Sequence, residues 1–144
     1  MRLGALLAPL LLPGDVLPLW GGFGVGKTTF VQGVGRGLGV ERPVVSPSFG
    51  LVNVYPNPHV PLYHLDLYRV SSAAEAEVFG VDEILGGDGA ALIEWPSVLL
   101  PKLPSERLDV YFELAVGDEE RTIRFEAGGR RAVALLDALQ ASVG

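Results

Sequence analysis

Residues 16–38 read VLPLWGGFGVGKTTFVQGVGRGL. An apolar run, Val16-Leu17-Pro18-Leu19-Trp20, meets a glycine-rich turn, and the turn opens into a helical stretch from Lys27 to Leu38. A short apolar run bounded by turn residues suits a strand buried on both faces. Pro18 is awkward there, because proline offers a central strand no donor. The turn matches G-x4-G-K-[ST] at Gly21, Gly26, Lys27 and Thr28. The chain has 19 glycines, two lysines and ten serines or threonines in 144 residues. That composition predicts roughly 0.002 chance matches to the pattern. Each residue has a physical task. The glycines permit positive φ and let backbone N–H groups approach a polyphosphate. The following helix N-terminus adds positive potential at the same point. Lys27 would neutralise the β and γ phosphates, and the Thr28 hydroxyl would ligate magnesium.

Outward from this unit the punctuation is dense, with 30 glycines and prolines in total. On the N-terminal side, residues 3–12 read LGALLAPLLL. This run is about half the length that spans a bilayer, so a buried helix is expected. On the C-terminal side, 43–50 read as a loop entering an extended stretch at 50–55, and 61–68 as a second strand. Ser72-Ala73-Ala74-Glu75 is a capping-box signature for a helix through about Leu85. Ala90–Ile93 reads as a short strand ending at Glu94. Residues 107–115 and 121–126 read as a hairpin joined around Gly117-Asp118, and an amphipathic helix closes the chain at about 131–142. The expected fold is one α/β domain over 1–144, P-loop NTPase-like, with a mixed sheet flanked by helices and an antiparallel C-terminal hairpin.

Composition narrows the chemistry. The chain has no cysteine, which excludes disulfides, thiolate metal sites and a cysteine nucleophile, and makes a reducing cytoplasm the expected compartment. His59 and His64 are the only histidines, too few for a histidine-rich metal centre. A net charge of −6 argues against gripping nucleic acid by phosphate neutralisation alone. A GTPase would carry D-x-x-G and N-K-x-D. No aspartate here has glycine three residues later, and the second lysine, Lys102, follows Pro101. ATP is therefore expected over GTP.

A P-loop enzyme needs an acid at a strand's C-terminal end. Glu94 ends the run Ala91-Leu92-Ile93-Glu94. Asp66 lies in His64-Leu65-Asp66-Leu67-Tyr68-Arg69, where strand alternation puts His64 and Asp66 on one face. His64 reads as a structural partner rather than a catalyst. Arg69 reads as a salt-bridge partner before an arginine finger. Trp95 suits the core or a nucleotide-side contact equally.

The series LPGDVLPLWGGFGVGKTTF, VVSPSFGLVNVY, HLDLYRV, EVFGVDEIL, LIEWP and LPSERLDV resembles the TsaE (YjeE) family, small ATPases of bacterial tRNA threonylcarbamoyladenosine synthesis. The pieces come in the family's order and span nearly the whole chain. The phosphate loop is shared with many families, whereas HxDLYR and IEWP are far more specific. The resemblance implies a phosphate cradle of Gly22, Phe23, Gly24, Val25, Gly26, Lys27, Thr28 and Thr29. It implies magnesium ligation by Thr28 and Glu94, a catalytic or water-positioning Asp66, and a switch-like segment at Ser46-Pro47-Ser48-Phe49. It also implies action with a TsaB–TsaD pair, the ATPase supporting the cycle in which TsaD modifies tRNA. The negative charge makes any contact with tRNA an indirect one, and no membrane partner is expected. The chain departs from the pattern at Gly22, where an acidic residue is usual, and at Ser48, where threonine is usual.

Two other classes remain. A small P-loop kinase would need a basic lid, for which Arg121, Arg124, Arg130 and Arg131 are the available cations. A non-hydrolysing switch would use nucleotide binding only to lock an interface through residues 46–49 and 64–69.

Overall fold

The computed structural model describes residues 2–22, 26–41, 43–45, 51–114 and 121–143. Phe23, Gly24 and Val25, the segment Ser46–Phe49 and the Gly117-Asp118 turn lie outside the described residues. The strands are β1 (Val16–Trp20), β2 (Val52–Tyr55), β3 (Leu62–Asp66), β4 (Ala90–Glu94), β5 (Arg107–Leu114) and β6 (Arg121–Gly128). The helices are α1 (Arg2–Leu7), α2 (Lys27–Leu38), α3 (Ala73–Glu77), α4 (Val81–Ile84) and α5 (Gly129–Val143). Single 3-10 turns extend α1 at Ala8–Leu10 and follow β4 at Pro96–Leu99.

All six strands form one sheet in the order β2-β3-β4-β1-β5-β6. The four inner strands run parallel, and β2 and β6 close the edges antiparallel. This is the mixed sheet with an antiparallel hairpin that the sequence predicts. Val16 to Leu19 are all buried, as a strand covered on both faces requires. Pro18 is tolerated for a local reason. Ala91 N–H donates to Asp15 C=O, so the odd positions of β1 bond to β4 and the even ones face β5. The β5 ladder begins only at Leu19, so the donor missing at Pro18 falls where no partner waits.

The faces of the sheet carry two cores. One joins Leu17, Leu19, Leu92, Leu108 and Val110 to Leu7, Phe30, Val34, Leu135 and Leu139 from α1, α2 and α5. The other joins Val16, Leu65, Ala91 and Ile93 to Ala76, Val81 and Leu99. The glycines of α2, costly in an isolated helix, serve this packing. A Cβ on Gly37 would meet Ala5 O and Ala8 Cβ at 2.7 Å, and one on Gly4 would meet Phe30 O and, at 2.8 Å, Val34 N. The two helices thus touch backbone to backbone. Gly4→Ala should lower stability by about 1–3 kcal/mol through overpacking. Urea unfolding would read this as a lower midpoint at constant slope, and an unchanged midpoint would contradict the contact.

The stretch expected to be one helix through Leu85 is two short ones. Ser72 caps α3 as predicted, its hydroxyl accepting from Glu75 N–H at 3.1 Å. Glu75 does not reach back to Ser72; its carboxylate accepts from the N–H and hydroxyl of Ser71. Gly80 then takes φ 75° and breaks the helix before α4. Lys102 ties the pieces to the turn after β4 through Glu77 at 3.2 Å and Asp82 at 3.1 Å. At the hairpin's end, β6 continues to Gly128 and α5 starts at once at Gly129, two residues beyond the expected strand and two before the expected helix.

Candidate functional site

The C-terminal ends of β1, β4 and β3 lie side by side. Leu19 pairs in register with Glu94, and Glu94 with Asp66. Ligands of open α/β sheets bind at this edge. Gly21 and Gly26 take φ of 144° and 97°, conformations that favour glycine, and Gly26 caps α2. The described part of the loop therefore turns sharply from β1 into the helix N-terminus, with Lys27 and Thr28 as the first helical residues.

Lys27 is buried, at 5% exposure. Its ammonium donates to Gly21 C=O at 2.7 Å and sits 3.6 Å from the centre of the Trp95 ring. Burial lowers its pKa from the ordinary lysine value, and the charges of Glu94 and Asp66 partly restore it. Trp95 adopts left-handed backbone, φ 57° and ψ 57°, as it enters the Pro96–Leu99 turn. For a bulky residue this is a strained conformation. Its ring also packs against Tyr68, with centroids 5.1 Å apart. The hairpin beyond Trp20 is held by Trp20 Nε1–H donating to Asp109 Oδ1 at 2.8 Å.

Glu94 is the meeting point of the site. It is 3% exposed, and the Thr28 hydroxyl lies 3.1 Å from both of its carboxylate oxygens. His64, fully buried, brings Nε2 to 2.6 Å from Glu94 Oε2. Side chains of His64, Leu92 and Glu94 alternate onto the face that packs on α2, while Leu65, Ala91 and Ile93 line the opposite core. Asp66 stands at the rim, its Oδ1 accepting from Tyr68 N–H at 3.1 Å.

The sequence-predicted residues are thus partly assembled. Lys27, Thr28 and Glu94 converge, Asp66 is adjacent and acts on Lys27 through charge, and Gly22 and Thr29 are exposed at the loop. Phe23, Gly24 and Val25 lie outside the described residues. Arg69 is exposed and makes no ion pair among the described residues, so the salt bridge expected for it does not form there. Sequence reasoning missed two features, the His64–Glu94 contact and the Trp95 ring over Lys27. Strand alternation sets the face of each side chain, but the first also needs the register of β3 against β4, which sequence alone does not fix. The second depends on the left-handed turn at Trp95, which has no signature in sequence.

The donor set suits a hard cation held together with a nucleotide. One hydroxyl and one carboxylate, with a second carboxylate nearby, offer oxygen ligands of the kind magnesium takes. Among the described residues, no group of three His, Cys, Asp or Glu could hold an ion unaided. Phosphate oxygens would have to complete the coordination, as phosphate-loop sites require.

The family of threonylcarbamoyl adenosine biosynthesis protein TsaE matches residues 1–123. The chain belongs to the TsaE family. A TsaE of Bacillus subtilis (strain 168), described as a tRNA threonylcarbamoyladenosine biosynthesis protein, is 44% identical over 134 residues, 93% of this chain and 83% of the relative. A Nostoc TsaE of the same description is 42% identical over 125 residues, 83% of this chain and 74% of the relative. The crystal structure of Bacillus subtilis YdiB superposes with a TM-score of 0.84 at 38% identity, covering 99% of this chain and 87% of that one. Among the described residues, no helix is long and apolar enough to cross a membrane.

Proposed function

We propose that the protein is a Mg2+-dependent ATPase that supports threonylcarbamoyladenosine modification of tRNA together with a TsaB–TsaD pair, and works in the cytoplasm. The observation that carries this reading is the convergence of Thr28 and Glu94 at 3.1 Å beside the buried Lys27 ammonium. TsaE membership supplies the pathway. The absence of guanine-recognition motifs from the sequence supplies the choice of ATP over GTP.

In this reading the loop from Gly22 to Thr29 cradles the phosphates with backbone N–H groups, and the N-terminus of α2 adds its positive end. Lys27 exchanges Gly21 C=O for phosphate oxygens. Thr28 and Glu94 would hold the cation with a hydroxyl and a carboxylate oxygen. A bound Mg2+ would offset the charge that develops on the phosphates. Asp66, whose Oδ2 makes no hydrogen bond among the described residues, orients the attacking water. Trp95 and Tyr68 shield the ammonium from solvent.

The kinase alternative loses much of its lid. Arg131 pairs with Asp15 at 2.8 Å at the opposite edge of the sheet. Arg124 lies over the Tyr111 ring, 4.1 Å from its centre, between Glu113 and Glu126.

The reading is tested by reconstituting tRNA modification. Addition of this chain with ATP should raise the yield of threonylcarbamoyladenosine formed by the pair. An unchanged yield, or phosphoryl transfer to a small metabolite with no partner present, would overturn it.

A further inference from the structure

We infer that His64 is a positioning residue for Glu94, fixing one oxygen of its carboxylate while Thr28 engages the cation. The inference rests on the magnesium-binding role proposed above for Thr28 and Glu94.

The geometry is specific. His64 has no solvent exposure, and its Nε2 lies 2.6 Å from Glu94 Oε2. Its other nitrogen, Nδ1, is buried without a hydrogen-bond partner among the described residues. An unsatisfied buried polar atom carries an uncompensated desolvation cost. A histidine placed only to fill the interior would be replaceable by an apolar side chain without that cost. What the imidazole provides here is a single donor, aimed at one carboxylate oxygen. The Nε2–H tautomer fits, with the proton on the nitrogen that faces Oε2 and the lone pair on the nitrogen that faces no donor among the described residues.

That donor matters because the other contact to Glu94 is one hydroxyl shared between its two oxygens. Among the described residues, the carboxylate is held by the Thr28 hydroxyl and the His64 ring. A threonine hydroxyl that ligates a cation gives a lone pair to the ion and keeps a single proton, which cannot fix both carboxylate oxygens at once. His64 then remains as the fixed anchor, on a strand paired in register with β4. Partners of this kind that orient a ligating carboxylate change metal affinity by roughly 10–100-fold when removed.

The test compares His64→Gln with His64→Asn. The Gln amide nitrogen can stand where Nε2 stands, while the Asn amide is too short and mimics Nδ1. Calorimetric titration of ATP into the whole protein, in EDTA and in saturating Mg2+, gives the gain in affinity that the metal supplies. His64→Asn should reduce that gain about tenfold and leave ATP affinity in EDTA within about threefold of the parent value. His64→Gln should retain the gain. A full gain in His64→Asn, or an equal loss in both variants, overturns the inference. Glu94→Gln separates it from the reading beneath. If Glu94→Gln loses the gain and His64→Asn keeps it, His64 alone is misassigned. If Glu94→Gln also keeps it, the metal site is misassigned and the inference falls with it. Imidazole 15N NMR of the unaltered protein needs no variant to fold. It should show the Nε2–H tautomer with a slowly exchanging proton, with and without Mg-ATP, and an Nδ1–H tautomer would contradict the positioning role.

Discussion

Lys27→Ala should remove ATP binding and turnover together, by at least about 100-fold in turnover, the usual loss when one fixed charge-stabilising donor is deleted. Lys27 is the only lysine in the loop and its ammonium is already at the site, bonded to Gly21 C=O and covered by Trp95. The alanine variant should still fold, because the apolar face of α2 is carried by Phe30, Val31 and Val34. The parent protein should also show a pH signature. Burial holds the Lys27 pKa below the ordinary lysine value, and phosphate binding needs the protonated form. ATP affinity should therefore weaken as pH rises through that lowered value, earlier than for a solvated lysine. The same shift means that the buried charge opposes folding below the folded-state pKa, and that this penalty is relieved as pH rises through it. Calorimetric titration across the alkaline range checks the affinity. An affinity independent of pH would show that Lys27 does not carry the phosphate contact.

Glu94→Gln should have the second largest effect, a loss of at least about tenfold in magnesium-dependent turnover. The substitution keeps volume and a hydrogen-bond acceptor for Thr28, but removes the charge a hard cation seeks. It also leaves a buried amide against His64 Nε2, so thermal unfolding must be followed beside activity. The expected result is lost turnover with the folded fraction retained. Normal Mg2+-dependent hydrolysis in this variant would move the metal assignment to Asp66.

The core of the fold was legible because two independent signals coincide in residues 16–38. Apolar patterning marks β1, and the glycine and lysine spacing marks the turn into α2. The sequence also offers two acids for the strand ends beside the loop, Asp66 and Glu94, and leaves the choice between them open. The break at Gly80 was not legible, because the cap at Ser72 and the apolar spacing both favour helix, and the tertiary contacts of α4 decide otherwise. The ends of β6 and α5 were missed for a related reason. Gly128 and Gly129 read as a break, yet a Cβ at Gly128 would meet Ser105 O at 2.6 Å. The glycine lets the strand run close to its neighbour and on into the helix. A lone histidine on a strand, such as His64, carries no indication of its partner. Only the register of β3 against β4 brings it to Glu94.

The most direct measurement is ATP hydrolysis by the purified chain, first alone and then with a TsaB–TsaD pair and tRNA, each with the Lys27→Ala variant in parallel. Weak turnover alone, strong stimulation by the assembled partners, and loss of both in the variant is the predicted result. Tight ATP binding without hydrolysis in the assembled complex, or turnover unchanged by Lys27→Ala, would contradict an ATPase centred on Lys27, Thr28 and Glu94.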